Sequence, residues 1–267
     1  MKLNRLSLRV AGAAALFTVA LTATASHSWN NYHWARTAQN FPLQVVDSTT
    51  PDWDGELAQT LSDWSKSTAF DLAVTSSDDS ARTRKRCAAV SGQIRVCNAA
   101  YGNNGWLGLA SINIDSNGHI TQGTAKVNDS YSSYFAVQDE RDHVMCQEVG
   151  HLFGLGHTSE DGSSQNTCMD YSQSPNSTRP NSHDYAQLDS IYSHLDSYNT
   201  YATGSSGGGG NGNGKGNGKP MAGQIPMGMR IRKGVFDEVW AAPDGAGGVW
   251  IHHVTLAPGF EHTELLD

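Results

Sequence analysis

The sequence is poor in several of the residues that define a protein class at a glance. Cysteine occurs 4 times and proline 8 times in 267 residues, and no two cysteines stand in C-x-x-C spacing. That absence excludes a cysteine-based zinc ribbon and a thioredoxin-like redox motif. Basic residues are scarce too, 18 against 26 acidic ones, giving a formal net charge of −8. Phosphate backbones are held mainly by Lys and Arg, so the charge balance speaks against nucleic-acid binding. The run "RTRKRC" from Arg82 is the one basic cluster and reads as a solvated loop. Long apolar runs are missing apart from one near the start, so no segment is expected to span a membrane.

That early run has its own explanation. Lys2, Arg5 and Arg9 precede the apolar stretch Val10 to Ala20, and Ala23-Thr24-Ala25 follows with small residues. This is the pattern of a secretory signal peptide, residues 1–25, with Ser26 as the expected mature start. No cysteine sits at the cleavage point to carry a lipid. Loss of the three basic residues, with no acidic ones, leaves 15 Lys and Arg against 26 Asp and Glu, a net charge of −11. An exported chain meets oxidising conditions, so Cys87, Cys97, Cys146 and Cys168 predict two disulfides. Four cysteines allow three pairings; joining Cys87 to Cys97 would close a short loop.

Glycine divides the rest. "TGSSGGGGNGNGKGNGKP" offers no apolar side chain to bury, and glycine is the costliest residue to order, so residues 202–228 read as a flexible linker. It separates a main domain, 26–201, from a C-terminal piece, 229–267, whose "GVFDEVWAAPDGAGGVWIHHVTL" suggests two strands and a turn. So small a hairpin is marginal alone and reads as an appendage. Its His252 and His253 suggest no metal by themselves, and Trp240, Trp250 and Phe260 suit a small apolar cluster.

Within the main domain, "FPLQVVD" from Phe41 has strand character. Leu57, Leu61 and Trp64 stand at helical spacing in the segment from Asp54. "AFDLAVTSS", "GQIRVCN", "GWLGLASINID" and "GHITQGTAKVND" follow as strands, the last two joined by a tight turn at Ser116-Asn117-Gly118. "DSNGHI" lacks the downstream acidic ligand of a calcium loop, so the turn is preferred. A helix runs from Asp139 to about Gly154. A last helix starts after Ser182 as N-cap and turns Leu188, Ile191 and Leu195 inward, with His183 and His194 at its surface or in packing. The class expected is α+β, without βαβ repetition.

The chemistry concentrates in "MCQEVGHLFGLGHTSEDG", from Met145. Gln147 and His151 are four apart and share a helix face, with Glu148 beside them. Gly154 can end the helix in a left-handed conformation and let His157 return to the same point. Three ligands, an open position and a carboxylate that can take a proton from water are what a hydrolytic zinc site requires.

"QEVGHLFGLGH" resembles the extended H-E-x-x-H-x-x-G-x-x-H signature of the metzincin zinc peptidases, a clan that includes the matrixins, astacins and serralysins. "TCMDYS" is similar to the clan's Met-turn, with Met169 as its methionine, and Tyr171 matches the tyrosine that approaches zinc in astacins and serralysins. The resemblance spans about residues 41–201 and is sharpest from Gln147 to Tyr171. It implies a twisted, mostly parallel sheet with two helices, an active-site helix, a Met-turn and a C-terminal helix. It further implies Zn2+ held by Gln147, His151 and His157, Glu148 as general base and Tyr171 as oxyanion stabiliser. The substrate implied is a protein or peptide bound as an extended strand along "GWLGLASIN". Gln147 departs from the signature, where histidine stands; Tyr171 or His143 could complete the shell, although His143 lies two turns from His151 on the helix. A bridge between Cys146 and Cys168, which flank Gln147 and Met169, would pin the helix to the Met-turn. The expected function is that of a secreted zinc metalloendopeptidase; the alternative is a secreted zinc-binding module without turnover, an adhesin or decoy.

Overall fold

A computed structural model describes residues 27–203 and 225–262. The signal peptide expected at 1–25 and most of the linker expected at 202–228 lie outside them. Strand β1 (His33–Trp34) is followed by β2 (Phe41–Ser48), α1 (Asp54–Trp64), β3 (Phe70–Ser77), α2 (Ala81–Arg86), β4 (Ile94–Ala99), β5 (Trp106–Ile114) and β6 (His119–Asn128). Then come α3 (Gln138–His151), α4 (Ser182–Ile191), β7 (Met229–Lys233), β8 (Asp237–Pro243) and β9 (Val249–Leu256). No described helix is long and apolar enough to cross a membrane.

The class is α+β with a mixed sheet in the order β3-β2-β4-β6-β5-β9-β8-β7, and β1 pairs with β6. The pairings β2–β3, β2–β4, β4–β6 and β1–β6 are parallel; those of β5 to β9 are antiparallel. The turn expected at Ser116-Asn117-Gly118 joins β5 to β6, with Asp115 N–H donating to His119 O and Gly118 at φ 84°.

Three expectations are corrected. The described residues 229–262 hold three strands where two were expected. Three strands continue the sheet, and β9 pairs with β5 from Trp106↔Leu256 to Ile114↔Val249. The reason is the edge of β5, which otherwise leaves its amides and carbonyls unpaired. Leu195, expected inward, is exposed, because α4 ends at Ile191 and the chain turns away there. The cap of α4 also differs: Asn181, not Ser182, precedes the helix and forms a reciprocal capping box with Asp184.

The core explains how α3 is held. Leu57, Leu61 and Trp64 of α1 are buried as their spacing predicts, each leucine contributing about 1.5–3 kcal/mol. Trp64 Nε1 donates to Cys146 O, and Trp34 Nε1 donates to Leu152 O. Phe153 packs on Phe70, with ring centroids 4.4 Å apart. Both indoles thus combine apolar burial with a satisfied donor, which fixes the C-terminal half of α3 against the sheet.

Candidate metal centre

Helix α3 supplies Gln147, Glu148 and His151, all fully buried. The chain leaves it through Gly154, at φ 93°, where a Cβ would lie 1.8 Å from Tyr32 O. Only glycine fits both the left-handed turn and that approach. The N-terminal strap grips this turn: Trp29 N–H donates to Gly154 O, Gly156 N–H to His27 O, and Ser28 bridges Leu155. His157 is returned to His151, as the sequence predicts, with their Nε2 atoms 3.0 Å apart.

The third imidazole comes from an unexpected place. His253, on β9, groups with His151 and His157, their ligand atoms all lying within 4.8 Å of one another. Its ring centroid is 4.0 Å from that of His151 and 4.6 Å from that of His157. Hydrogen bonds fix the tautomers of His151 and His253. His151 Nδ1–H donates to Leu155 O, leaving Nε2 with its lone pair. His253 Nε2–H donates to Asp237, leaving Nδ1 buried without a partner. Carboxylate and carbonyl partners of this kind orient metal-binding histidines.

Electrostatics favour the same role. Burial, then neighbouring His253, holds His151 well below its ordinary pKa; burial, then His253 and His151, does so for His157. Neutral imidazoles crowded together are good donors for a divalent ion. Tetrahedral zinc at about 2.0–2.1 Å from nitrogen sets its ligand atoms about 3.3 Å apart, close to the spacing of the two Nε2 atoms. The donor set therefore fits zinc.

Gln147 is engaged elsewhere. Its Nε2 donates to Cys168 O and Asp170 O, and its Oε1 accepts from Thr255 Oγ1. The same hydroxyl lies 2.6 Å from Glu148 Oε1, while Glu148 Oε2 has no partner. Gly108 of β5 makes room for this carboxyl: a Cβ there would lie 2.2 Å from Glu148 Oε1. Burial raises the Glu148 pKa to about 8, against hydrogen bonds from Thr255 and the Ala110 amide. A cation held by the histidines would favour the ionised form. His143 is buried, with Nδ1 donating to Ser177 O and Nε2 facing Gln147.

Tyr171 stacks on His157, with centroids 3.8 Å apart, and its hydroxyl lies 3.3 Å from His253 Nε2. Burial, reinforced by Asp237, keeps that phenol protonated. Met169 is buried, its sulfur packed where a Cβ on Gly150 would otherwise sit. Cys146 is joined to Cys168 and Cys87 to Cys97, the pairings expected from sequence. Asp237 is buried, and although burial opposes its ionisation, His253 and Arg232 hold its carboxyl below the usual range.

Pairing with β9 also corrects the expected substrate edge: the side of β5 read as open to a peptide is filled by the chain itself. An open cleft of about 360 Å³ remains beside the centre, lined by Tyr134, His143, Tyr171, Gln173, Phe236 and Thr255, among others. His253, Asp237 and Thr255 are the site residues that sequence reasoning missed. No local spacing links them to the motif, and only the strand-like "WIHHVTL" hinted that one of two adjacent histidines would face inward.

No protein-family model matches the sequence, and comparison with curated proteins gives no match.

Proposed function

We propose that the chain is a secreted zinc-dependent metallopeptidase of the metzincin kind, in which the C-terminal hairpin supplies the third imidazole. One observation carries this reading: three buried imidazoles converge while helix α3 presents a buried carboxyl, Glu148. His151, His157 and His253 would hold the zinc. Zinc, when bound, supplies positive charge that polarises a carbonyl and makes water more acidic. Glu148 would accept the proton of the attacking water and pass it to the departing amine. Tyr171, protonated and beside His253, would donate to the carbonyl oxygen as it gains charge. The cleft lined by Tyr134, Tyr171 and Phe236 would admit the substrate.

A second reading, a zinc-binding module without turnover, is favoured by two observations. Strand β9 occupies the β5 edge, and Thr255 ties down the Glu148 carboxyl. Casein hydrolysis by the purified, zinc-loaded chain separates the two. Hydrolysis that is lost with a chelator, and lost in Glu148→Gln while zinc is retained, supports the peptidase. Stoichiometric zinc without hydrolysis supports the module, and failure to bind zinc at all overturns both.

A further inference from the structure

A second group of donors lies outside this centre. His33 on β1 is the register partner of His119 at the start of β6. Asp196 and His194, beyond the end of α4, approach the same point. His119 Nε2 is 3.3 Å, His194 Nε2 3.6 Å and His33 Nε2 3.8 Å from the Asp196 carboxylate. The donor atoms of His33, His119 and Asp196 all lie within 4.8 Å of one another, and the His194 ring centroid is 4.9 Å from that of His33.

We propose that His33, His119, His194 and Asp196 form a second, structural zinc site. Two features carry this. First, tautomers are fixed by the surroundings. His33 Nδ1–H donates to Asn31 O at 2.8 Å, and His119 Nδ1–H to Tyr198 Oη at 2.6 Å, whose own proton goes to Asp115. Both rings thus turn an Nε2 lone pair towards Asp196, and His33 Nε2 is buried with no hydrogen-bond partner. Second, the spacings suit a shared ion better than direct pairing. Charge-assisted hydrogen bonds are about 2.7–2.9 Å long, shorter than all three contacts. Ligands of tetrahedral zinc are about 3.3 Å apart, as bond lengths of about 2.0–2.1 Å require.

His33, His119 and Asp196 supply three ligands, and the exposed His194, with Nε2 3.6 Å from the same carboxylate, would turn in as the fourth; a shell closed in that way is the mark of a structural site rather than a catalytic one. Its place suggests what it fastens. Asp196 also accepts from Arg36 N–H, and Asp196 N–H donates to Arg36 O. The metal would tie β1, and with it the strap that grips Gly154, to the β5–β6 turn and the segment after α4.

The test uses the full chain carrying His151→Ala and His253→Ala, which removes the first centre and makes the outcome independent of the proposed activity. After passage over a chelating resin, zinc per chain is measured by atomic emission. One zinc is expected, falling to none when His119→Ala or Asp196→Asn is added. Because a variant could unfold, melting is followed in parallel. A chelator should lower the Tm of the double variant but leave that of the Asp196→Asn form unchanged. Replacement of the zinc by Co2+ should give the visible absorption of a four-coordinate ion. Absence of zinc from the folded double variant, or its retention after His119→Ala, overturns the site.

Discussion

His253 and Gln147, both buried, predict opposite behaviour. Losing a residue that merely orients a metal ligand commonly costs about 10–100-fold in affinity. Removing a ligand costs more, so competitive titration should show zinc binding weakened by more than about 100-fold in His253→Ala. Asp237→Asn, which leaves the His253 ring but loses its anionic acceptor, should fall within the 10–100-fold range. Gln147→Ala should leave affinity nearly unchanged, since its amide is spent on Cys168, Asp170 and Thr255. A reversed order, with Gln147 dominant, would return the third ligand to the helix. Gly154 allows a purely structural test. Gly154→Ala should cost at least about 1–3 kcal/mol from backbone strain, before the clash with Tyr32 O is counted, as read by urea unfolding. At this scale the sequence was legible wherever residues lay close along the chain. The spacing of Glu148, His151, Gly154 and His157 carried its own geometry. His253 was not legible, because a strand beyond a glycine-rich segment can pair with any open edge, and no spacing rule reaches that far.

Helix α3 has a covalent mooring and its neighbour α1 an ionic one, and each has a measurable weight. The Cys146–Cys168 bridge ties it to the segment bearing Met169. Cys146→Ser with Cys168→Ser should lower stability by about 2–4 kcal/mol, checked by denaturant titration at constant zinc. Asp63 at the end of α1 reaches the approach to α4 through Arg179, at 2.7 Å, and binds Lys66 as well. Burial opposes its ionisation, but the hydrogen bonds from Lys66 and Arg179 outweigh this and lower its pKa. A carboxylate with a depressed folded pKa contributes stability above its unfolded pKa, and the contribution is lost as pH falls through the folded value. Asp63→Asn should therefore destabilise the chain by about 1–3 kcal/mol at neutral pH. The difference from the parent should shrink as pH falls below about 4, the ordinary carboxylate range. A constant difference down to pH 2 would remove charge from the account. Among the elements, the helical spacing in α1 and the Asn-Gly turn between β5 and β6 were readable because both are local. The cap at Asn181 was missed by one residue, since Ser182 is an equally good cap by composition, and only its reciprocal bond with Asp184 decides.

Across the whole molecule the sheet is continuous from β3 to β7, and the metal centre straddles the joint between β5 and β9. The hairpin is therefore part of the domain energetically. A chain ending at Thr203 should lose zinc at the first centre and expose the β5 edge, seen as higher-order species in size-exclusion chromatography. Retention of a monomeric, zinc-binding form would show that the hairpin is dispensable.

The position of β9 in the chain also orders events during synthesis. Strand β5 emerges long before its neighbour, and at about 5–20 residues per second the interval is on the order of 10 s. Throughout that time one edge lies open and the third imidazole does not yet exist. If the proposed activity holds, no complete centre exists until this last strand is made and paired. Timing alone would then separate the unfinished chain from the proposed activity.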